Sequence, residues 1–270
     1  MPDRSFPCRV IGVRFARRQL LAGAVLAVSM PVGASVDAQA LLAASDAVRN
    51  PDQAFRVTVT LTEYESSKQV NTATLISVAR KLEAGGQFAS IVRFAQPARD
   101  AGKAMLKQGN DLWFYDPGTR STLRISPQQR LMGQASNGDV VTVNFARDYQ
   151  ATLAAEETVQ DGERQSRRAY KLQLAAAQED AAYGSIELWI DTESKAPLKA
   201  RFFADSGRLL KTAYYRRYQQ QLGAMRPTET IIIDGLDPKS VTILRFTDYA
   251  NRNAPANWFQ RDYLPRFNAD

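Results

Sequence analysis

The 270-residue chain has no histidine and a single cysteine, Cys8. Without histidine there can be no histidine-based triad, imidazole metal site or imidazole pH switch. One cysteine supports neither an internal disulfide framework nor a cysteine zinc site. The sequence also has no Walker loop and no Gly-x-Ser-x-Gly elbow. No repeat of fixed period is visible, and no Pro/Ser-rich linker divides the chain. The groups left for chemistry are carboxylates, Lys, Arg, Ser, Thr and Tyr. That inventory favours binding or carriage over catalysis, so the expectation is a protein that is not an enzyme and carries no cofactor.

Excess charge is also scarce once its location is considered. The net charge is +7, but the first 34 residues hold Arg4, Arg9, Arg14, Arg17 and Arg18 against Asp3 alone. The remainder has 30 basic and 27 acidic residues, a balance that makes nucleic acid a poor partner. Two basic clusters stand out, Arg164, Arg167 and Arg168, and Arg216 with Arg217. Each suits an anionic lipid headgroup or an acidic partner, or else a solvated hairpin. Candidate acids are Glu63 and Glu65 beside Tyr64, and Asp111 and Asp116 around an aromatic strand. They read as solvated or turn-capping groups rather than a general acid/base pair. Asp191, Glu193, Asp234 and Asp237 lack EF-hand spacing, so no metal site is expected.

What is present at the N-terminus is an export signal. Arg14, Arg17 and Arg18 precede an apolar stretch over 20–30 that is too short to span a membrane. Val32-Gly33-Ala34 is one cleavage motif, and Ala38-Gln39-Ala40 is a second. Arg17-Arg18-Gln19-Leu20-Leu21 fits a twin-arginine signal as well as a Sec signal. Cys8 precedes the apolar stretch without a lipobox, so it is not a lipid-attachment site. The expected organisation is a signal peptide over 1–34, ending as late as 40, then one domain over 41–250 and a docked tail over 251–270, in an exported, periplasmic protein.

The spacing over 41–50 predicts a short helix stopped by Pro51. Phe55, Val57, Val59 and Leu61 then alternate with polar residues, a strand with one apolar face. Further strand-like runs fall at 72–81, 87–95, 103–108, 111–115 and 121–125. After a break over 127–148 they resume at 149–159, 168–174, 185–191, 198–204, 208–217, 228–234 and 241–246. The break reads as loop plus short helices, or with Val140, Val141 and Val143 as one more strand. Gly85-Gly86, Gly109-Asn110 and Asp116-Pro117-Gly118 are among the turns. The pattern is an antiparallel meander in a mainly β (α+β) domain, a single curved sheet of about 10–11 strands. Such a sheet curls to protect its edges, and its apolar face needs a cover. In the run Trp113-Phe114-Tyr115, alternation sends Trp113 and Tyr115 one way, and Leu112 and Phe114 the other. This strand is either buried on both faces or the wall of an apolar cavity, or both.

Three segments resemble a known family. Phe94-Ala95-Gln96-Pro97, then Gly109-Asn110-Asp111-Leu112-Trp113-Phe114-Tyr115-Asp116-Pro117, then Asn144-Phe145-Ala146-Arg147-Asp148-Tyr149, resemble the LolA-like outer-membrane lipoprotein-sorting proteins, in a longer branch. The resemblance implies an incomplete β-barrel closed by short helices, with an apolar cavity for acyl chains. It implies a periplasmic carrier of acylated lipoprotein or lipid cargo, with an inner-membrane transporter as donor or docking partner. The alternative is a non-catalytic accessory or sensor module docking on an inner-membrane lipid exporter. The chain is expected to be a monomer. An arginine directly before the strand-end proline helps hold the closed form of the classical carriers; here that position is Gln96, with Arg93 nearby on another face. The inward apolar residues that would line the acyl cavity are Val57, Val59, Val92, Phe94, Leu112, Phe114, Leu188 and Phe202. Their direction rests on alternation, and a one-residue register error would invert it.

Overall fold

The computed structural model describes residues 36–82, 86–109, 111–177 and 181–268. The export signal with Cys8, and the turn residues Gly85 and Asn110, lie outside the described residues.

Helix α1 spans Ala38–Arg49. Asp37 caps it, its Oδ1 accepting from the Gln39 and Ala40 amides at 3.0 and 3.1 Å. The helix ends at Asn50, where Pro51 disfavours helical backbone. The second candidate cleavage motif therefore falls inside α1. Processing after Ala40 would remove the Asp37 cap, whereas processing after Ala34 keeps it.

Six strands follow: β1 (Phe55–Glu65), β2 (Lys68–Lys81), β3 (Phe88–Gln96), β4 (Ala104–Gln108), β5 (Asp111–Asp116) and β6 (Ser121–Arg124). The break contains a small hairpin of β7 (Arg130–Met132) and β8 (Ala135–Ser136), a 3-10 turn (Asn137–Asp139), and α2 (Phe145–Asp148). Seven more strands complete the sheet: β9 (Tyr149–Gln160), β10 (Ser166–Ala176), β11 (Ser185–Asp191), β12 (Pro197–Phe203), β13 (Leu209–Gln221), β14 (Ala224–Asp234) and β15 (Ser240–Asn251). Every strand-like run of the sequence joins one sheet, so it holds thirteen strands rather than the ten or eleven expected.

The strand order is β6-β5-β4-β3-β2-β1-β15-β14-β13-β12-β11-β10-β9. It consists of two antiparallel meanders joined where β1 pairs with β15. The sheet does not close into a barrel. It does curl, because Val92 on β3 and Leu188 on β11 share one apolar cluster. In a flat sheet the seven strand steps between them would hold them roughly 34 Å apart.

This topology creates the lid. Strands β6 and β9 are neighbours in sequence among the thirteen but lie at opposite edges of the sheet. The 24 residues 125–148 must therefore cross the open inner side. Alternation aims Phe55, Val57, Val59 and Leu61 of β1 inward, with Leu172, Leu174, Ile186, Ile190 and Ala213 from the far meander. Val140, Val141 and Phe145 of the crossing segment pack down onto them.

The outer face of β2–β5 carries a second apolar cluster. Val78, Ala89, Ile91 and Leu106 are covered by Phe259, Leu264 and Phe267 from two 3-10 helices in the tail, Ala256–Phe259 and Arg261–Arg266. Trp113 and Tyr115 pack here, while Leu112 and Phe114 turn inward, so β5 contacts apolar groups on both faces. Arg93 donates to the Phe267 carbonyl, and Arg261 lies 4.6 Å from the centre of the Trp113 ring.

Candidate lipid-binding cavity

The inner face and its lid line a cavity of about 140 Å³. Its walls are Phe55, Val57 and Val59 of β1, Phe202 of β12, Ile232 of β14, and Leu244 and Phe246 of β15. The lid contributes Val140, Val141 and Phe145. Three of the eight expected lining residues, Val57, Val59 and Phe202, face this cavity. Phe94 lines a separate groove of about 200 Å³ near Leu61, Leu75 and Met132. Phe114 meets Phe94 edge-on, with ring centres 6.2 Å apart. Val92, Leu112, Phe114 and Leu188 belong to the inner apolar cluster without lining the main cavity. All eight lie in or pack against the inner apolar cluster. Position across the curled sheet separates those at the cavity from those beside it.

Polar contacts hold the lid in addition to its apolar packing. Asn50 Nδ2 donates to the Val143 carbonyl at 2.8 Å, and Asp46 accepts from the Ala146 amide at 2.8 Å. Gln39 spans the Ala146 carbonyl and the Ala151 amide, both at 2.8 Å. Gln87 Oε1 accepts from the Asn144 amide, and Thr242 Oγ1 from the Gln134 amide. Burial raises the Asp46 carboxyl, and neighbouring Arg49 opposes that rise.

One clasp ties the lid directly to the wall. Lys211 on β13 forms an ion pair with Asp139, and both side chains are largely buried. Asp139 also accepts from the Ser136 amide at 2.7 Å and from the Tyr183 hydroxyl at 3.2 Å. Ser136 Oγ lies 3.2 Å from Lys211 Nζ and 2.9 Å from the Tyr183 hydroxyl. A Ser–Lys nucleophile would need lysine as a base. Lys211 instead donates to Asp139 as an ammonium, so the geometry is a structural clasp. Burial pushes the Tyr183 phenol well up, which keeps it a neutral donor.

Sequence reasoning missed this clasp, although one signal was available. Lys211 shares the inward phase of β13 with Ala213 and Tyr215, and a lysine on an apolar phase calls for a buried partner. Gln96, at the position of the family's closing arginine, is exposed, and Arg93 serves the outer-face tail. Lid closure here therefore uses other residues.

The remaining candidate acids and bases have local roles. Asp116 caps its turn through the Gly118 amide, and Asp111 pairs with Arg124 at 2.5 Å. Asp191 accepts from the Glu193 and Ser194 amides and pairs with Arg167 at 2.7 Å. Asp234 accepts from the Leu236 and Asp237 amides. Arg168 pairs with Glu156, while Arg216 and Arg217 converge with Arg245 on the fully buried Glu229. Burial would raise the Glu229 carboxyl, but hydrogen bonds from Arg245 and Arg216 outweigh it and hold the group low.

The comparisons agree with this architecture. A family model described as an uncharacterized protein matches residues 86–266. A LolA superfamily protein from Nitrosomonas europaea is 33% identical, with a TM-score of 0.76 over 85% of this chain and 100% of that one. The chain belongs to the LolA superfamily. Two further structures share the fold. A DUF1329 family protein from Desulfovibrio piger is 20% identical, with a TM-score of 0.71 over 84% of this chain and 97% of that one. A putative outer membrane lipoprotein-sorting protein domain from Vibrio parahaemolyticus is 19% identical, with a TM-score of 0.70 over 85% and 98%. No curated protein matches. The superfamily is a non-catalytic carrier-type fold.

Proposed function

We propose that this protein is a periplasmic carrier that buries acyl chains of a lipoprotein or lipid beneath the lid of its half-open sheet. The observation that carries the reading is the largely apolar cavity beneath a lid anchored by apolar packing and by hydrogen bonds. Superfamily membership and the export signal read in the sequence support it.

The size of the cavity sets the mechanism. At about 140 Å³ its volume is close to that of a cavity admitting one benzene-sized ligand. A 16-carbon chain needs more room, so loading must displace Val140, Val141 and Phe145. Each methylene removed from water contributes roughly 0.8 kcal/mol. Each lid hydrogen bond contributes about 1 kcal/mol net. Burial of a long chain therefore outweighs several lid anchors, and release requires a partner offering a better site.

Titration of the mature protein with a fluorescent fatty-acid probe tests this. Saturable one-to-one binding is expected. Val59→Phe, which fills the cavity, should weaken it about tenfold or more while costing about 1–3 kcal/mol of stability. Absence of binding, or unchanged affinity in a folded Val59→Phe variant, would remove this cavity as the acyl site. The protein would then be better described as a module docking on a lipid exporter, its cavity filled by its own lid.

A further inference from the structure

The cavity that the carrier reading makes an acyl site is not uniformly apolar. Arg49, in the last turn of α1, lines it with a side chain only 14% exposed. Its Nη2 serves Asp46 and the Val143 carbonyl, and its guanidinium lies 4.1 Å from the centre of the Phe145 ring. Nε and Nη1 enter no hydrogen bond among the described residues. Tyr215 on β13 lines the same cavity at 8% exposure, and its hydroxyl has no hydrogen-bond partner among the described residues. On the opposite wall, Ser77 Oγ is fully buried and also unpartnered.

A buried hydroxyl without a partner costs about 1–3 kcal/mol, and Ser77 Oγ is one, while the Tyr215 hydroxyl is an unpaired donor at the cavity wall. The charges show which end would hold a polar head. Arg49 is the one cation lining the cavity among the described residues. The acids that line it are already engaged: Asp139 by Lys211, and Asp148 by the Gln87 amide at 2.9 Å. Asp46 uses one oxygen for Arg49 and the other for the Ala146 amide. Burial pushes the Tyr215 phenol up, so it remains a neutral donor beside the guanidinium.

We propose that the cavity takes a single-headed anionic amphiphile, a carboxylate or a phosphate monoester, whose head is bound by Arg49 and the Tyr215 hydroxyl. The chain then lies along Val57, Val59, Leu244 and Phe246. This rests on the acyl-carrier reading and narrows it to ligands with a charged head.

The test is displacement of an uncharged fluorescent probe, 1-N-phenylnaphthylamine, by laurate, dodecyl phosphate and dodecanol at pH 8. At least one anion should bind about tenfold tighter than dodecanol, the ratio of one charge-assisted hydrogen bond. The tighter anion names the head. Arg49→Gln and Tyr215→Phe should each remove that preference, bringing the anion's affinity down to that of dodecanol in the same variant. Tyr215→Phe carries the test if Arg49→Gln fails to fold, because it deletes only an unpartnered hydroxyl. Equal affinity for all three ligands in the wild type, or a preference intact in folded Tyr215→Phe, would overturn the head site and leave the acyl reading standing. Failure of all three to displace the probe would overturn both.

Discussion

Asp139→Ala should cost about 3–5 kcal/mol of stability, the range for removing one partner of a buried ion pair. The ammonium of Lys211 would keep Ser136 Oγ at 3.2 Å and the Tyr183 and Phe202 rings at 5.0 and 5.4 Å, and a buried charge without its counter-ion is strongly unfavourable. The molecule can relieve this by lifting the lid while the sheet stays paired. Urea unfolding and hydrogen exchange together separate the outcomes. Global loss lowers the midpoint. Lid opening speeds exchange over 130–148 and leaves the β1, β2 and β15 amides protected. Asp139→Leu combined with Lys211→Met should recover most of the loss, because the double change buries no charge. Stability within about 1 kcal/mol of wild type, with unchanged exchange in the lid, would show that the pair holds nothing closed.

Truncation after Asn253 should be more damaging still. It removes Phe259, Leu264 and Phe267, each nearly inaccessible to solvent. At about 1.5–3 kcal/mol per large apolar side chain the loss is roughly 5–9 kcal/mol, comparable with the whole stability of many domains. It also uncovers Ile91, Leu106 and Val78 on the outer face of an open sheet. Expected results are poor solubility and strong binding of a hydrophobic dye, with Phe267→Ala giving a milder loss of about 3–5 kcal/mol in thermal or urea unfolding. A soluble truncated chain that melts within a few degrees of the full one would contradict the packing described.

The strands were legible because one physical pattern repeats along the chain. Residues alternate in polarity, as at Phe55, Val57, Val59 and Leu61, and turn residues separate the runs. Alternation assigns all eight expected cavity residues to the apolar phase of their strands. It could not tell which of them meet across the curled sheet, because that depends on β1 pairing with β15, almost two hundred residues away. The stretch 127–148 lacks periodicity because it is a lid, held through its backbone by distant side chains such as Gln39, Gln87 and Thr242. The polar groups of the site were hidden for a related reason. Arg49 and Asp46 look like an ordinary helical i,i+3 pair, and only the folded chain places Arg49 against the cavity. The tail's aromatics were plain in the sequence, but their seat on the outer face of β2–β5 was not, since alternation there marks both faces of β5 as apolar.

The central claim is that an acyl chain occupies the space beneath the lid. It is tested most directly by native mass spectrometry of the mature protein purified from the periplasm, followed by lipid extraction under denaturing conditions. A co-purifying acylated species near one per protein is the predicted result, and it should be lost from Val59→Phe. Uniformly empty protein that also takes up no added fatty acid would contradict the account.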